Sequence, residues 1–333
     1  MTKEIRKTAL AMVAGGKGIL AMDESTGTIE KRFKEIGVEN TEESRRRYRE
    51  LLITAPGLGN YISGAILFDE TIRQKTKEGI PFPTILEQQG ILPGIKVDKG
   101  AKPLALFPDE TITEGLDGLR ERLQEYKSLG AKFAKWRAVI TIGDAIPTKA
   151  CIKANAHALA RYAALCQEAD ITPIVEPEVL MDGTHPIEKC LQVTSQTLDL
   201  VFKELRGLKV DLKGMVLKPN MVVSGTSCPD QATPAKVADL TITCFKESVS
   251  PKVPGIAFLS GGQGDESATS NLNEMNRKFK GQVPWKLTFS YGRALQRAAL
   301  KAWNGSDANI KAAQDALLEK AKGYGKAALG EFD

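Results

Sequence analysis

The sequence predicts an α/β fold: a single (β/α)8 TIM barrel over residues 1–333, with an N-terminal helical extension and a short C-terminal tail. Three observations predict it. Eight short, almost continuously apolar segments recur along the chain, as strands buried on both faces should read. Helical patterns fill the gaps, and strand–helix alternation is the signature of a parallel sheet. No proline- or serine-rich linker divides the 333 residues, a length that one large barrel can fill. The runner-up, a doubly wound open sheet, lacks a GxGxxG turn.

The elements follow in order. The chain opens with Lys and Arg and runs mostly apolar from Thr8 to Gly16, but Lys17 interrupts it and Asp23 and Glu24 close it. Residues 1–22 therefore read as a short amphipathic helix ending at Gly15-Gly16 and then a strand, not as a targeting signal, which implies a cytoplasmic protein. Strands are predicted over 18–24, 61–68, 92–98, 131–139, 172–179, 215–222, 255–260 and 286–291. The clearest helices are predicted over 113–127, 149–167, 186–205, 234–248, 266–278 and 308–323. Arg45-Arg46-Arg47 shares a helical pattern with Tyr48, Leu51 and Leu52, flanked by Glu42, Glu43 and Glu50, and reads as a solvated face.

Composition narrows the function. Hydrophobic residues at 42% and charged residues at 26% exclude a disordered or fibrous chain. No uncharged apolar run reaches roughly 18 residues, which excludes a membrane helix. Cys151, Cys166, Cys190, Cys228 and Cys244 form no CxxC pair and are odd in number, so free thiols in a reducing compartment are expected. His157 and His185 are the only histidines and neither lies in an HxH or HExxH pattern, so no metal site and no cofactor is expected. Net charge is +5 with the basic residues scattered, which disfavours nucleic acid and suits a small anionic ligand.

The informative residues are charges at the ends of apolar strands: Asp23, Lys96, Lys135, Arg137, Glu176, Glu178 and Lys218, with Arg293 just past the eighth strand. In a barrel those ends build the active-site face, and a charge there must be paired or functional. Lys135 and Arg137 share one face of their strand, as do Glu176 and Glu178. A structural ion-pair network is the alternative reading. The chemistry available is that of amines and carboxylates. A lysine among cations and apolar walls is pushed toward its neutral form, which condenses with a carbonyl to a Schiff base. Lys218, in Val216-Leu217-Lys218-Pro219, is the leading candidate and Lys135 the competitor. The turns Ser260-Gly261-Gly262-Gln263-Gly264 and Ser290-Tyr291-Gly292-Arg293 follow the last two strands, where barrels commonly hold phosphate. Gly15-Gly16-Lys17-Gly18 lacks the GK[ST] of a P-loop.

Seven stretches resemble one family in order: LAMDESTG (20–27), GIKVDKG (94–100), FAKWR (133–137), IVEPE (174–178), LKPNM (217–221), FLSGGQ (258–263) and TFSYGRAL (288–295). The chain closely resembles the class I, Schiff-base fructose-1,6-bisphosphate aldolases over nearly its whole length. The resemblance implies Lys218 as the Schiff-base lysine, Glu176 as acid/base for dehydration with Lys135 and Glu178 in support, and Asp23 as acceptor of the C4 hydroxyl proton. It implies one phosphate on Ser260, Gly261, Ser290, Gly292 and Arg293, the other on Ser25, Lys96 and Thr28 or Arg32, with Arg137 lining the site. It further implies a phosphorylated sugar as partner and a homotetramer. Two departures stand out. Thr28 replaces a common Ser, and the sequence stops at Phe332-Asp333 without the family's longer tail ending in tyrosine, a role Tyr324 does not match. Another Schiff-base lyase, similar to transaldolase, and a non-catalytic phosphosugar sensor remain alternatives.

Overall fold

The structure, a computed structural model, describes residues 2–333; Met1, the first residue of the predicted N-terminal helix, lies outside them. Ten strands follow in chain order: β1 (Gly18–Ala21), β2 (Ile62–Leu67), β3 (Leu92–Lys96), β4 (Ala101–Pro103), β5 (Thr111–Thr113), β6 (Phe133–Ile140), β7 (Thr172–Val179), β8 (Val216–Leu217), β9 (Gly255–Phe258) and β10 (Lys286–Tyr291). Eight close a parallel barrel, with β1 pairing to both β2 and β10; β4 and β5 form a separate antiparallel hairpin. Every residue of β1, β2, β7, β8 and β9 is buried, because helices cover the outside and side chains fill the inside. Trp136 faces outward and stacks on Tyr162 of the helix Lys149–Glu168, with ring centroids 5.6 Å apart.

The lumen shows why the site lies at one end. Ile19, Ala21, Ile66, Phe133, Ile174, Val216 and Ala257 pack together with Ala9, Met12 and Val13 of the N-terminal segment. Helix Thr2–Met12 and the residue after it therefore plug the N-terminal mouth, tied by Thr172 Oγ1 to the Ile5 carbonyl (3.0 Å) and Ser63 Oγ to the Met12 carbonyl (2.6 Å). Only the opposite mouth is left for polar chemistry. Phe133 fills the lumen so closely that a Cβ on Gly94 would stand 2.2 Å from its ring. Gly94→Ala should accordingly cost about 1–3 kcal/mol of stability through overpacking, read as a lower urea midpoint. An unchanged midpoint would show that the ring has room to move.

Several sequence expectations shift. The helix predicted over 113–127 runs only from Leu119 to Ser128. Thr-Ile-Thr at 111–113 is β-branched and enters the hairpin, while Gly115 and Gly118, both at positive φ, break the chain before the helix. The strand predicted over 215–222 shrinks to two residues, because Pro219 donates no ladder hydrogen bond and the backbone leaves the sheet there. The last helix spans Ile310–Ala327, and Gly325 within it lets the backbone of Gly16 approach: a Cβ there would stand 2.7 Å from the Gly16 carbonyl oxygen. Tyr324 is core, 2% exposed and packed edge-on to Tyr291 at 4.9 Å.

Helices Thr26–Lys34, Asp69–Arg73, Phe82–Gln88 and Arg293–Trp303 add to those the sequence pattern marks clearly. The arginine run is not a solvated face. Arg45 is buried and forks onto Glu70 at 2.6 and 2.8 Å, Arg46 clasps Glu43 and Glu50, and Arg47 lies over Trp303 and pairs with Asp307. These bonds moor helix Glu42–Ile53 to its neighbours. All five cysteines are free and buried, and among the described residues no helix is long and apolar enough to cross a membrane.

Candidate active site

The C-terminal ends of the strands open into a cavity of about 1100 Å³. A smaller cavity of about 230 Å³ lies by the N-terminal plug near Gly15, Trp285 and Leu329, but no carboxylate lines it, so it offers no acid/base pair. The larger cavity is lined by all fifteen residues singled out from the sequence: Asp23, Ser25, Thr28, Arg32, Lys96, Lys135, Arg137, Glu176, Glu178, Lys218, Ser260, Gly261, Ser290, Gly292 and Arg293.

Its floor is a chain of alternating charges. Lys218 Nζ stands 3.0 Å from Glu176 Oε1; Glu176 Oε2 stands 3.4 Å from Lys135 Nζ; Lys135 Nζ stands 2.7 Å from Asp23 Oδ2. The pleat sets this up: Lys135 on β6 and Glu176 on β7 point into the lumen, and the Lys218 N–H bonds the Val175 carbonyl at 2.8 Å, delivering the lysine as β8 ends. Lys135, Glu176 and Lys218 are each under 5% exposed, so pairing must offset their desolvation. Burial pushes Asp23 up, but Lys135, Lys218 and Lys96 outweigh it and hold the carboxyl at about 2. Burial likewise opposes the charge on Lys135, yet Asp23, Glu176 and Asp98 raise its pKa overall. Lys135 is thus an ammonium held between two carboxylates, Asp23 and Glu176. Lys218 has one carboxylate partner, Glu176. The contact does not seal the amine off, since Lys218 lines the open cavity.

Around the floor stand groups suited to anions. Arg137 pairs with Glu178, and Lys96 pairs with Asp98, whose backbone carbonyl it also reaches at 2.8 Å. At the turn after β9, Gly261 and Gly262 take positive φ of 61° and 96°, which exposes backbone toward the cavity. Ser290 lines the same cavity, its Oγ buried and without a hydrogen-bond partner. Helix Arg293–Trp303 starts there, its Arg293 exposed and without an ion-pair partner among the described residues. Across the mouth, Ser25 and Thr28 place their hydroxyls 3.1 Å apart at the start of helix Thr26–Lys34. Two helix N-termini with nearby cations flank one amine, an arrangement suited to anions.

Sequence reasoning misses Asp98, Glu24 and Gln296. Asp98 lies within GIKVDKG as a strand-end carboxylate, so the rule that picks out Lys96 could have found it. Glu24 is adjacent to Asp23. Gln296 sits mid-helix, and nothing local marks it.

Comparison with known proteins points to one family. The family model described as glycolytic fructose-bisphosphate aldolase class-I matches residues 4–333. A Xanthomonas campestris pv. campestris protein named probable fructose-bisphosphate aldolase class 1 is 59% identical over 331 residues, covering 99% of this chain and 98% of its own. An Arabidopsis thaliana protein named fructose-bisphosphate aldolase 5, cytosolic, is 53% identical over 329 residues, covering 99% and 91%. The fructose-bisphosphate aldolase of Plasmodium falciparum, solved with TRAP and a small-molecule inhibitor, superposes with a TM-score of 0.97 at 48% identity, covering 99% and 95%. A lysine just past the sixth barrel strand, two helix N-termini with nearby cations beside it and a match over almost every residue lead to one conclusion: the chain belongs to the class I fructose-bisphosphate aldolases.

Proposed function

We propose that Lys218 is the amine with which this aldolase opens fructose 1,6-bisphosphate to dihydroxyacetone phosphate and glyceraldehyde 3-phosphate. The observation that carries this is its nitrogen at the cavity floor, 3.0 Å from a carboxylate able to take its proton. The neutral amine attacks C2 of the ketose. Glu176 returns a proton to the departing hydroxyl, water leaves, and an iminium remains. Lys135, held cationic, keeps Glu176 and Asp23 in place, and Glu178 anchors Arg137 at the rim.

Asp23 then takes the C4 hydroxyl proton as the C3–C4 bond breaks. The bond's electron pair moves into the iminium, leaving a neutral enamine. A carboxyl held at about 2 is ionised at neutral pH but is a weak base. Its power must come from placement and from the iminium drawing electrons in the same step. Glyceraldehyde 3-phosphate leaves; protonation at C3 and hydrolysis release dihydroxyacetone phosphate and free Lys218.

One phosphate sits on Ser260, Gly261, Ser290, Gly292 and Arg293, the other on Ser25, Thr28, Arg32 and Lys96, with Arg137 between them. The whole chain, 1–333, acts as one domain. The family resemblance supports a homotetramer, and the name of the Arabidopsis relative supports a cytosolic site. A coupled assay tests the reading: fructose 1,6-bisphosphate should be cleaved at an undiminished rate in excess EDTA. A rate that collapses with chelation and returns with a divalent cation would contradict an amine mechanism.

A further inference from the structure

Helix Arg293–Trp303 carries a buried amide that the mechanism above does not use. Gln296 is 1% exposed. Its Nε2 donates to the Ala21 carbonyl and to Glu24 Oε1, both at 2.7 Å, and its Oε1 accepts from Tyr48 OH at 3.2 Å. The amide thus spends its donors on the end of β1, across the seam where the barrel closes. Glu24 passes the connection on: the same Oε1 pairs with Arg32 Nη1, and its backbone carbonyl accepts from Arg49 Nη2 at 2.7 Å. Arg49 is itself 1% exposed, and Glu70 at 3.2 Å is its ion-pair partner. Arg32 also lines the mouth, and its Nη2 lies 3.9 Å from where a Cβ on Gly292 would stand.

We propose that Gln296 and Glu24 are a positioning pair that fixes Arg32 in the phosphate cradle it shares with Ser25, Thr28 and Lys96, and so sets affinity for the phosphorylated substrate. The proposal rests on reading the mouth as a bisphosphate site. A free arginine must surrender much side-chain freedom on binding phosphate; one held beforehand by a buried carboxylate surrenders less. That carboxylate is itself aimed by the Gln296 amide, so loss of the amide reaches substrate chiefly through Arg32. The same amide ties Arg293's helix to the segment bearing Asp23 and Ser25, so the two cradles keep their spacing.

The test is a double-mutant cycle read by steady-state kinetics with fructose 1,6-bisphosphate. Gln296→Leu should raise KM about tenfold while kcat changes less than about threefold, the signature of lost binding rather than lost chemistry. In an Arg32→Ala background the same change should move KM less than about twofold. Glu24→Gln keeps an acceptor for Gln296 and removes the charge facing Arg32; it should reproduce the KM rise, which keeps the test alive if Gln296→Leu fails to fold. Equal effects of Gln296→Leu with and without Arg32, or a fall in kcat at unchanged KM, would overturn the inference. A wild-type protein that forms no imine with dihydroxyacetone phosphate would instead overturn the bisphosphate reading, and this proposal with it.

Discussion

Lys218→Ala should lower fructose 1,6-bisphosphate cleavage by about 10⁵-fold or more while leaving the barrel folded, because a missing nucleophile is not replaced by binding alone. The neighbours argue for a preserved fold. Glu176 keeps Lys135 at 3.4 Å, so no buried carboxylate is left without a cation. Ile174, Val216 and Ala257, which fill the lumen below, are untouched. Circular dichroism and the urea midpoint report the fold; a coupled assay reports the rate. Substantial turnover by this variant would place the nucleophile elsewhere. Lys135 is a poor substitute, since it faces Asp23 at 2.7 Å and Glu176 behind it, both holding its proton.

Asp23→Ala should cut cleavage by about 10³–10⁴-fold, near the upper range for a positioned general base, while imine formation survives. The two steps use different carboxylates. Glu176 touches Lys218, whereas Asp23 touches Lys135, with Lys218 felt only through its field. Trapping with dihydroxyacetone phosphate should therefore label the variant about as fully as the wild type. Loss of labelling together with loss of cleavage would show that Asp23 serves imine formation, not C3–C4 scission.

The parts of the fold that can be read from sequence are those whose burial is two-sided. Thr172–Val179 and Lys286–Tyr291 are legible to the residue, because a mostly apolar run of strand length between turn signals fits a buried parallel strand better than a helix. β8 resists, since it ends at Leu217, two residues before Pro219, while apolar residues resume at Met221 and Val222 in loop. The hairpin of β4 and β5 is hidden because three-residue strands carry too little pattern to register. Arg45 misleads for a related reason: its partner Glu70 is 25 residues away, and local charge patterning cannot reveal a distant carboxylate.

The site divides along the same line. Asp23, Lys135, Glu176 and Lys218 are legible because charge at the end of an apolar strand is costly and demands a reason. Which lysine is the nucleophile is not legible, since that depends on the Asp23 contact that forms only when the β1 and β6 ends meet at the mouth. Gln296 is invisible altogether: its role lies in bonds to Ala21 and Glu24, 275 and 272 residues distant.

Reduction with borohydride in the presence of dihydroxyacetone phosphate, followed by peptide mapping, tests the central claim most directly. The amine at the cavity floor should carry the reduced three-carbon phosphate adduct on the peptide containing Lys218, and on no other lysine. An adduct on Lys135, or an enzyme that turns over substrate yet yields no adduct at all, would contradict the account.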